Sequence, residues 1–145
     1  MTTRRLAAKD KPAWLRLFAG YNAFYQAHVA PEVVESLWQR LMRAGPGDHI
    51  GLVAVDAHDE PVGLAHILFH ASSWSIAPDC YLEDLFVDPT VRGSGLGRAL
   101  IAAVYAHADA HGARRTYWMT QETNATARRL YDQVAKKSDF VQYRR

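Results

Sequence analysis

The sequence contains a single cysteine, Cys80, among 145 residues. One cysteine excludes an internal disulfide framework and a metal site made of several cysteines from one chain. No segment reaches the roughly 18 apolar residues of a membrane-spanning helix, and Met1–Arg5 lacks the apolar stretch of a signal peptide. We therefore expect a cytoplasmic protein with no membrane partner.

A strong excess of one charge is also missing. Seventeen Lys and Arg residues face fifteen Asp and Glu residues, which gives a net charge of +2. So small a charge does not indicate a nucleic-acid partner. Repeats, low-complexity tracts and linkers are absent too. The apolar fraction of 49% and the length predict one globular domain, 1–145, with a full core.

The sequence does contain an apolar segment followed by a glycine-rich loop and an apolar periodic segment. Residues 80–87 read as a buried strand, and after the glycines Leu96, Leu100 and Val104 recur at helical spacing. The first turn of a helix has unpaired N–H groups and a partial positive charge, and glycines let a phosphate approach the backbone. The stretch therefore predicts an anion site at residues 93–98.

The spacing of this loop excludes two common phosphate motifs. The dinucleotide fingerprint needs a glycine where Arg98 stands, and the ATP-type loop needs Gly-Lys-Ser/Thr where the chain has Gly97-Arg98-Ala99. The pattern that fits is Arg/Gln-x-x-Gly-x-Gly/Ala, with Arg92, Gly95 and Gly97. On these residues the sequence resembles the GCN5-related N-acetyltransferase superfamily, whose members hold the pyrophosphate of coenzyme A with this motif.

The resemblance is strongest over residues 79–145. The strand containing Glu83 and Asp84 looks like that of diamine and polyamine acetyltransferases, and the tail with Asn124 and Tyr131 is similar to the histone/polyamine branch. The resemblance implies acetyl-CoA as co-substrate. The positions that it implies for coenzyme contact are Leu85, Phe86 and Val87 in the strand, Arg92, Gly93, Ser94, Gly95, Leu96, Gly97 and Arg98 in the loop, and Asn124.

Acetyl transfer needs a neutral amine and a protonated leaving thiol. The resemblance implies Tyr131 as the acid for the thiolate and Glu83 as the base or anchor for the amine. On a regular strand Glu83 and Asp84 are predicted to face opposite sides, and either carboxylate could instead be the base or serve only the structure. The residues that we expect to contact the acceptor, through charge or through cation–π contact, are Tyr21, Tyr25, Trp74 and Asp84.

Two histidines, His107 and His111, stand four residues apart on a predicted helix, a spacing that can bind metal. No third ligand lies near in sequence. We therefore predict that they are surface residues, and we expect no metal site.

Periodicity predicts a mixed α/β fold with a mostly antiparallel sheet and helices on both faces, in the order β, α, α, β, β, β, α, β, α, β. Aromatic side chains at three- and four-residue intervals mark the first helix, and Gly45-Pro46-Gly47 ends the second. Asp10 and Asn124 are candidate helix N-caps. The predicted strands are Thr2–Ala7, Ile50–Val55, Val62–Phe69, 80–87, Arg114–Thr120 and Phe140–Tyr143, and Ala71–Asp79 is predicted to be a loop.

These features together predict an acetyl-CoA-dependent N-acetyltransferase. The acceptor is expected to be the primary amine of a small molecule, such as a polyamine, a diamine or an amino acid, with direct transfer in a ternary complex. A protein lysine or N-terminus is the alternative acceptor, and a non-catalytic acyl-CoA sensor is the alternative class. The single strand after the last helix would leave a sheet edge open to pairing, so we expect a homodimer.

Overall fold

The computed structural model describes residues 2–145, which form one five-stranded sheet with helices on both faces. The strands lie in the order β1-β2-β3-β4-β5; β1 to β4 pair antiparallel, and β4 and β5 pair parallel. This confirms the predicted fold class. The elements are β1 (Thr2–Arg5), α1 (Lys11–Phe24), α2 (Pro31–Arg43), β2 (Ile50–Val55), β3 (Pro61–Ser72), β4 (Ser75–Val87), α3 (Leu96–Ala110), β5 (Arg115–Tyr117) and α4 (Ala125–Val134).

Alternating side chains of the central strands supply two separate cores. In β3, Leu64 packs with α1 and α2, whereas Ala65 and Ile67 pack with α3 on the other face. Leu130 and Tyr131 place α4 against the α3 side as well. Because β2 and the first half of β3 are buried on both faces, they read as continuous apolar runs.

The aromatic stripe of α1 forms the centre of the first core. Trp14 is fully buried, stacks on Phe18 at 5.3 Å between ring centroids, and contacts Trp38 of α2 at 5.1 Å. Burial of one such ring contributes about 1.5–3 kcal/mol. On the same helix Gly20 leaves room for Phe86, since a Cβ there would lie 3.0 Å from the Phe86 ring. The helix therefore lies close against β4.

Asp10 occupies the residue before α1, as predicted, but its side chain does not cap that helix. The carboxylate instead accepts hydrogen bonds from the guanidinium of Arg4, at 2.8 and 2.9 Å, and from the backbone N–H of Ala7. Burial of the carboxylate opposes ionisation, yet these bonds outweigh it and hold the pKa of Asp10 below its ordinary value. The pair fastens β1 to the start of α1.

The predicted loop Ala71–Asp79 is wrong. β3 continues to Ser72, which pairs with Ser75 at the start of β4, so that Ser73 and Trp74 form a tight hairpin turn. This end of the hairpin extends past the helices, and many of its side chains are exposed, which is why the sequence there lacks an apolar pattern.

The predicted final strand Phe140–Tyr143 is also wrong. These residues are exposed and have no regular structure, because no strand of the described chain pairs with them. The predicted strand Arg114–Thr120 shortens to β5, because residues 118–120 leave the sheet. Within residues 2–145, no helix has both the length and the apolar character needed to span a membrane.

Candidate active site

The sheet opens between its two parallel strands. β5 pairs with β4 only from Asp79 to Tyr81, ending at the pair Tyr81 and Tyr117. Beyond that point the second half of β4 pairs with β3 alone. One backbone edge of β4, including Leu85, Phe86 and Val87, is therefore unpaired, and an extended ligand can bind to such an edge as an added strand.

A β-bulge lies at the start of this open segment. His66 of β3 pairs with Asp84 and the next residue, Ile67, pairs with Leu82, so Glu83 has no partner across the ladder. The prediction that Glu83 and Asp84 face opposite sides of a regular strand is thus wrong. The extra residue changes the alternation of β4: Leu82 packs in the α3 core, whereas Phe86 packs in the α1–α2 core.

Glu83 hydrogen-bonds to a histidine just before β2. Its Oε2 lies 2.5 Å from Nε2 of His49, and 41% of the Glu83 side chain is exposed, against 12% of His49. The second ring nitrogen of His49, Nδ1, is buried and has no hydrogen-bond partner within residues 2–145. Glu83 thus combines access to solvent with a fixed neighbour on one of its oxygens.

Asp84 is held from the core side of the sheet. Its Oδ2 lies 2.8 Å from Nδ1 of His66, whose side chain is 1% exposed. The other ring nitrogen of His66 accepts a hydrogen bond of 2.9 Å from the indole N–H of Trp14. A continuous line of polar contacts therefore joins the centre of the α1–α2 core to a carboxylate at the cleft.

Three tyrosines connect the carboxylates to α4. Burial, and then the charge of Asp84 and a hydrogen bond to it, raise the pKa of Tyr21 well above its ordinary value, with smaller contributions from Tyr25 and Glu83. Burial, and then Tyr25, raise the pKa of Tyr131 to about 12. Tyr25 lies 5.1 Å from Tyr21 between ring centroids. The structure thus brings Tyr21, Tyr25, Tyr131 and the two carboxylates together.

Sequence reasoning missed several residues of this cleft. Tyr81 stacks on Tyr117 at 4.9 Å, and burial, followed by Glu83, raises the pKa of Tyr81. The hydroxyl of Tyr117 lies 2.7 Å from Nε2 of His70. The one available signal was His66, a polar residue inside the apolar run 62–69. Tyr81 sits in an apolar run like any core residue, and His49 has no local pattern.

The glycine loop lies at the end of the open strand. Gly93 and Gly95 have φ values of +84° and +80°, and a Cβ on either would meet nothing within 4 Å. The loop surface is thus open, and the first N–H groups of α3 follow it without side-chain caps. Arg92 donates to the Val87 carbonyl at 3.3 Å, and its guanidinium lies over the Phe86 ring at 5.6 Å.

The remaining loop positions have structural contacts of their own. Ser94 donates to the carbonyl of Val91, and Arg98 donates to Gln133 of α4. Leu96 is buried in the α3 core. A Cβ on Gly97 would lie 3.2 Å from the Leu130 side chain, so this glycine permits α4 to approach α3.

Two predicted site residues have different surroundings from those expected. Asn124 precedes α4, but its side-chain amide donates to Thr120 at 3.1 Å and makes no capping bond. Trp74 is 76% exposed at the tip of the β3–β4 hairpin. At about 3.3 Å per residue, the tip lies roughly 30 Å along β4 from Asp84, so in this chain Trp74 is separate from the cluster.

The histidine pair of α3 is packed rather than fully exposed. The His107 and His111 rings stack at 4.6 Å, and His111 also stacks on Phe69 at 4.6 Å. Burial lowers the pKa of His107. In the described part of the chain, no three His, Cys, Asp or Glu side chains come together as a metal site.

Comparisons with known proteins agree with this architecture. The model of the acetyltransferase (GNAT) family matches residues 14–135. The chain is 35% identical over 147 residues to the D-amino-acid N-acetyltransferase of Saccharomyces cerevisiae, with 100% of this chain and 90% of that protein covered. It is 29% identical to an uncharacterized N-acetyltransferase of Bacillus subtilis, with 99% and 95% covered.

A solved structure shares the fold. The crystal structure of a probable acetyltransferase superposes with a TM-score of 0.84 at 21% identity and covers 99% of this chain and 96% of its own. The family match spans the strand, bulge, loop and tyrosine described above. The chain therefore belongs to the acetyltransferase (GNAT) family and is an N-acetyltransferase.

Proposed function

We propose that this enzyme transfers the acetyl group of acetyl-CoA directly to the primary amine of a small molecule. The observation that carries the proposal is a chain of neighbours: Asp84 hydrogen-bonds to Tyr21, the Tyr21 ring lies 5.1 Å from the Tyr25 ring, and Tyr25 is near enough to Tyr131 to raise its pKa. Glu83 and Asp84 lie where β4 pairs with β3 alone, and the glycine loop follows at the end of the same strand. The groups that bind the acetyl donor, bind the acceptor amine and transfer protons would thus lie next to one another.

The donor would extend from the glycine loop to Tyr131. Backbone N–H groups of residues 93–98 would bind the pyrophosphate, with Arg92 adding positive charge beside it. The pantetheine arm would hydrogen-bond to the open edge at Leu85–Val87, and a backbone N–H near Val87 would stabilise the oxyanion. One hydrogen-bond donor to an oxyanion typically lowers the activation free energy by about 3–4 kcal/mol. Asn124, on the α4 side of the cleft, is the remaining candidate for a coenzyme contact.

The acceptor amine must lose a proton before it can attack. An alkyl ammonium with a pKa of about 10.4 is neutral in roughly one molecule in 2,500 at pH 7, a deficit of about 4.6 kcal/mol. We assign Glu83 as the base, because its side chain is partly exposed and can return the proton to solvent directly. Asp84, which is 14% exposed and fixed by His66, would hold the ammonium in place.

The leaving thiolate takes its proton from Tyr131 in this proposal. With a pKa of about 12, the phenol is fully protonated at neutral pH. A coenzyme thiol has a pKa of about 8.5, so complete transfer of the phenol proton to the free thiolate is uphill by roughly 5 kcal/mol. The hydroxyl therefore acts mainly by hydrogen-bonding to the sulfur as its charge develops, and a proton that Tyr131 passes to the sulfur is replaced from solvent. The sum is acetyl-CoA plus ammonium giving amide, coenzyme thiol and one proton.

The class of acceptor follows from the charge of the cleft. Two carboxylates and the faces of Tyr21 and Tyr25 favour a cation, and a relative is named for acetylation of D-amino acids. We expect thiol release from acetyl-CoA with diamines, polyamines, or D- or L-amino acids, and little release with a lysine-containing peptide. Turnover of the peptide alone would make a protein the acceptor, and coenzyme binding without turnover of any amine would indicate a sensor.

The glycine loop can be tested through coenzyme affinity. Gly95→Glu places a carboxylate in the proposed pyrophosphate site, and it should abolish the rise in melting temperature that saturating acetyl-CoA produces. Gly112→Glu is the matched control, because Gly112 also has a positive φ, +65°, with nothing within 4 Å of a Cβ. Both variants carry similar backbone strain. Normal acetyl-CoA affinity in folded Gly95→Glu would remove the loop from the site.

Substitutions of Tyr131 and of Glu83 should impair catalysis in different ways. Tyr131→Phe keeps the ring packed against Trp118 and removes the hydroxyl, so kcat should fall by roughly 10²–10⁴ with little change in acetyl-CoA affinity. Tyr143→Phe, on an exposed tyrosine, is the control. If chemistry is rate-limiting and Tyr131→Phe still has near-normal turnover, Tyr131 is only a packing residue.

Glu83→Gln should instead lose activity near neutral pH and regain it at high pH, where the amine is already neutral and needs no base.

A homodimer is the proposed assembly, formed through the exposed tail and the outer edge of β5. Phe140, Val141 and Tyr143 are 76%, 75% and 92% exposed, and such apolar exposure is a common sign of an interface. Sedimentation should give a dimer at micromolar concentration. Phe140→Asp should weaken it, and Val33→Asp, at an exposed position of α2, should not. A wild-type monomer at that concentration would argue against the proposal.

A further inference from the structure

His66 is placed unlike an ordinary core residue. It is a polar side chain with 0% exposure in the middle of β3, and it lies between the aromatic rings of α1 and the carboxylate of Asp84. The Phe18 ring is 5.6 Å and the His49 ring 6.4 Å from it between centroids. Burial of an imidazole is costly unless its nitrogens are hydrogen-bonded. Here both nitrogens have partners.

The two partners determine where the ring carries its hydrogen. The indole nitrogen of Trp14 can only donate, so Nε2 of His66, 2.9 Å away, must present its lone pair. A ring with a lone pair on Nε2 carries its hydrogen on Nδ1, which lies 2.8 Å from Oδ2 of Asp84. His66 is therefore an N–H donor to Asp84. Neither nitrogen is free to contact a substrate or to accept its proton.

We propose that His66, oriented by Trp14, is a positioning residue that fixes Asp84 for binding of the acceptor ammonium. This inference rests on the proposed function and extends the acceptor site into the core. The Asp84 side chain can rotate about two bonds, and the N–H of His66 occupies its Oδ2 from the core side, in addition to the hydrogen bond from Tyr21. With Oδ2 held by His66, the remaining acceptor capacity of the carboxylate has a fixed direction. Trp14 is itself fixed by stacking on Phe18 and by contact with Trp38.

Two substitutions of His66 separate its two hydrogen bonds. In His66→Asn the side-chain amide nitrogen can occupy the position of Nδ1 and still donate to Asp84, whereas the bond to Trp14 is lost. In His66→Gln the longer side chain can accept from Trp14, but residue 66 no longer donates to Asp84, which keeps only its hydrogen bond from Tyr21. If His66 serves only to accept the hydrogen bond of Trp14, His66→Gln should bind the amine better than His66→Asn. If His66 positions Asp84, His66→Asn should bind the amine better than His66→Gln.

Kinetics with the amine that wild-type enzyme acetylates best give the first readout. We expect His66→Gln to raise the KM for the amine roughly ten- to hundredfold, the range for one hydrogen bond to a charged group. The acetyl-CoA affinity should be unchanged, and His66→Asn should restore most of the loss. Trp14→Phe removes the indole N–H and part of the ring, and its KM for the amine should lie between those of His66→Asn and His66→Gln. All variants are compared at a temperature at which each is folded.

Ring-nitrogen NMR of the wild-type chain gives a readout that needs no activity. We expect the His66 ring to show a protonated Nδ1 and an unprotonated Nε2, and Trp14→Phe to admit the other tautomer. A hydrogen on Nε2 in the wild type, or a wild-type amine KM in His66→Gln, would overturn the inference alone. Absence of amine turnover in the wild type would overturn the proposed function and, with it, the acceptor role of His66, whatever the tautomer.

Discussion

The divergence of β4 from β5 is the constraint on which the rest of the site depends. Backbone N–H and C=O groups inside a sheet are normally paired, and an unpaired row of them must be satisfied by water or by a ligand. Here the parallel pairing stops at Tyr81 and Tyr117, so β4 beyond Tyr81 has an open edge within the described chain. An extended ligand can bind to such an edge as an added strand.

The bulge at Glu83 lets one strand serve both cores and the cleft. An uninterrupted β4 would direct Leu82 and Phe86 to the same face, whereas the extra residue sends them to opposite cores. The bulge also releases Glu83 from a partner across the ladder and leaves Asp84 beside His66. Two adjacent carboxylates thereby acquire different environments, one exposed and one enclosed, which is the usual basis for different roles.

The sequence predicted what local spacing determines. Helix periodicity located α1, α2, α3 and α4, and the glycines marked the turn that precedes α3. The failures within the sheet concern the pairing partners of its strands. The extent of β3 and β4 at the hairpin tip, the bulge at Glu83 and the unpaired tail depend on what lies across the sheet, which no short pattern records. The Trp14–His66 bond joins residues 52 positions apart, so periodicity could assign both only to the core.

The contact between Gly97 and Leu130 links the two ends of the cleft. α3 begins at the glycine loop and α4 carries Tyr131, and the helices meet where Gly97 has no side chain. In the proposed mode of binding, the loop would hold one end of the donor and the tyrosine would lie at the other, so the spacing of α3 and α4 would match the length of the donor. A side chain larger than that of glycine at residue 97 would press on Leu130 and would alter that spacing.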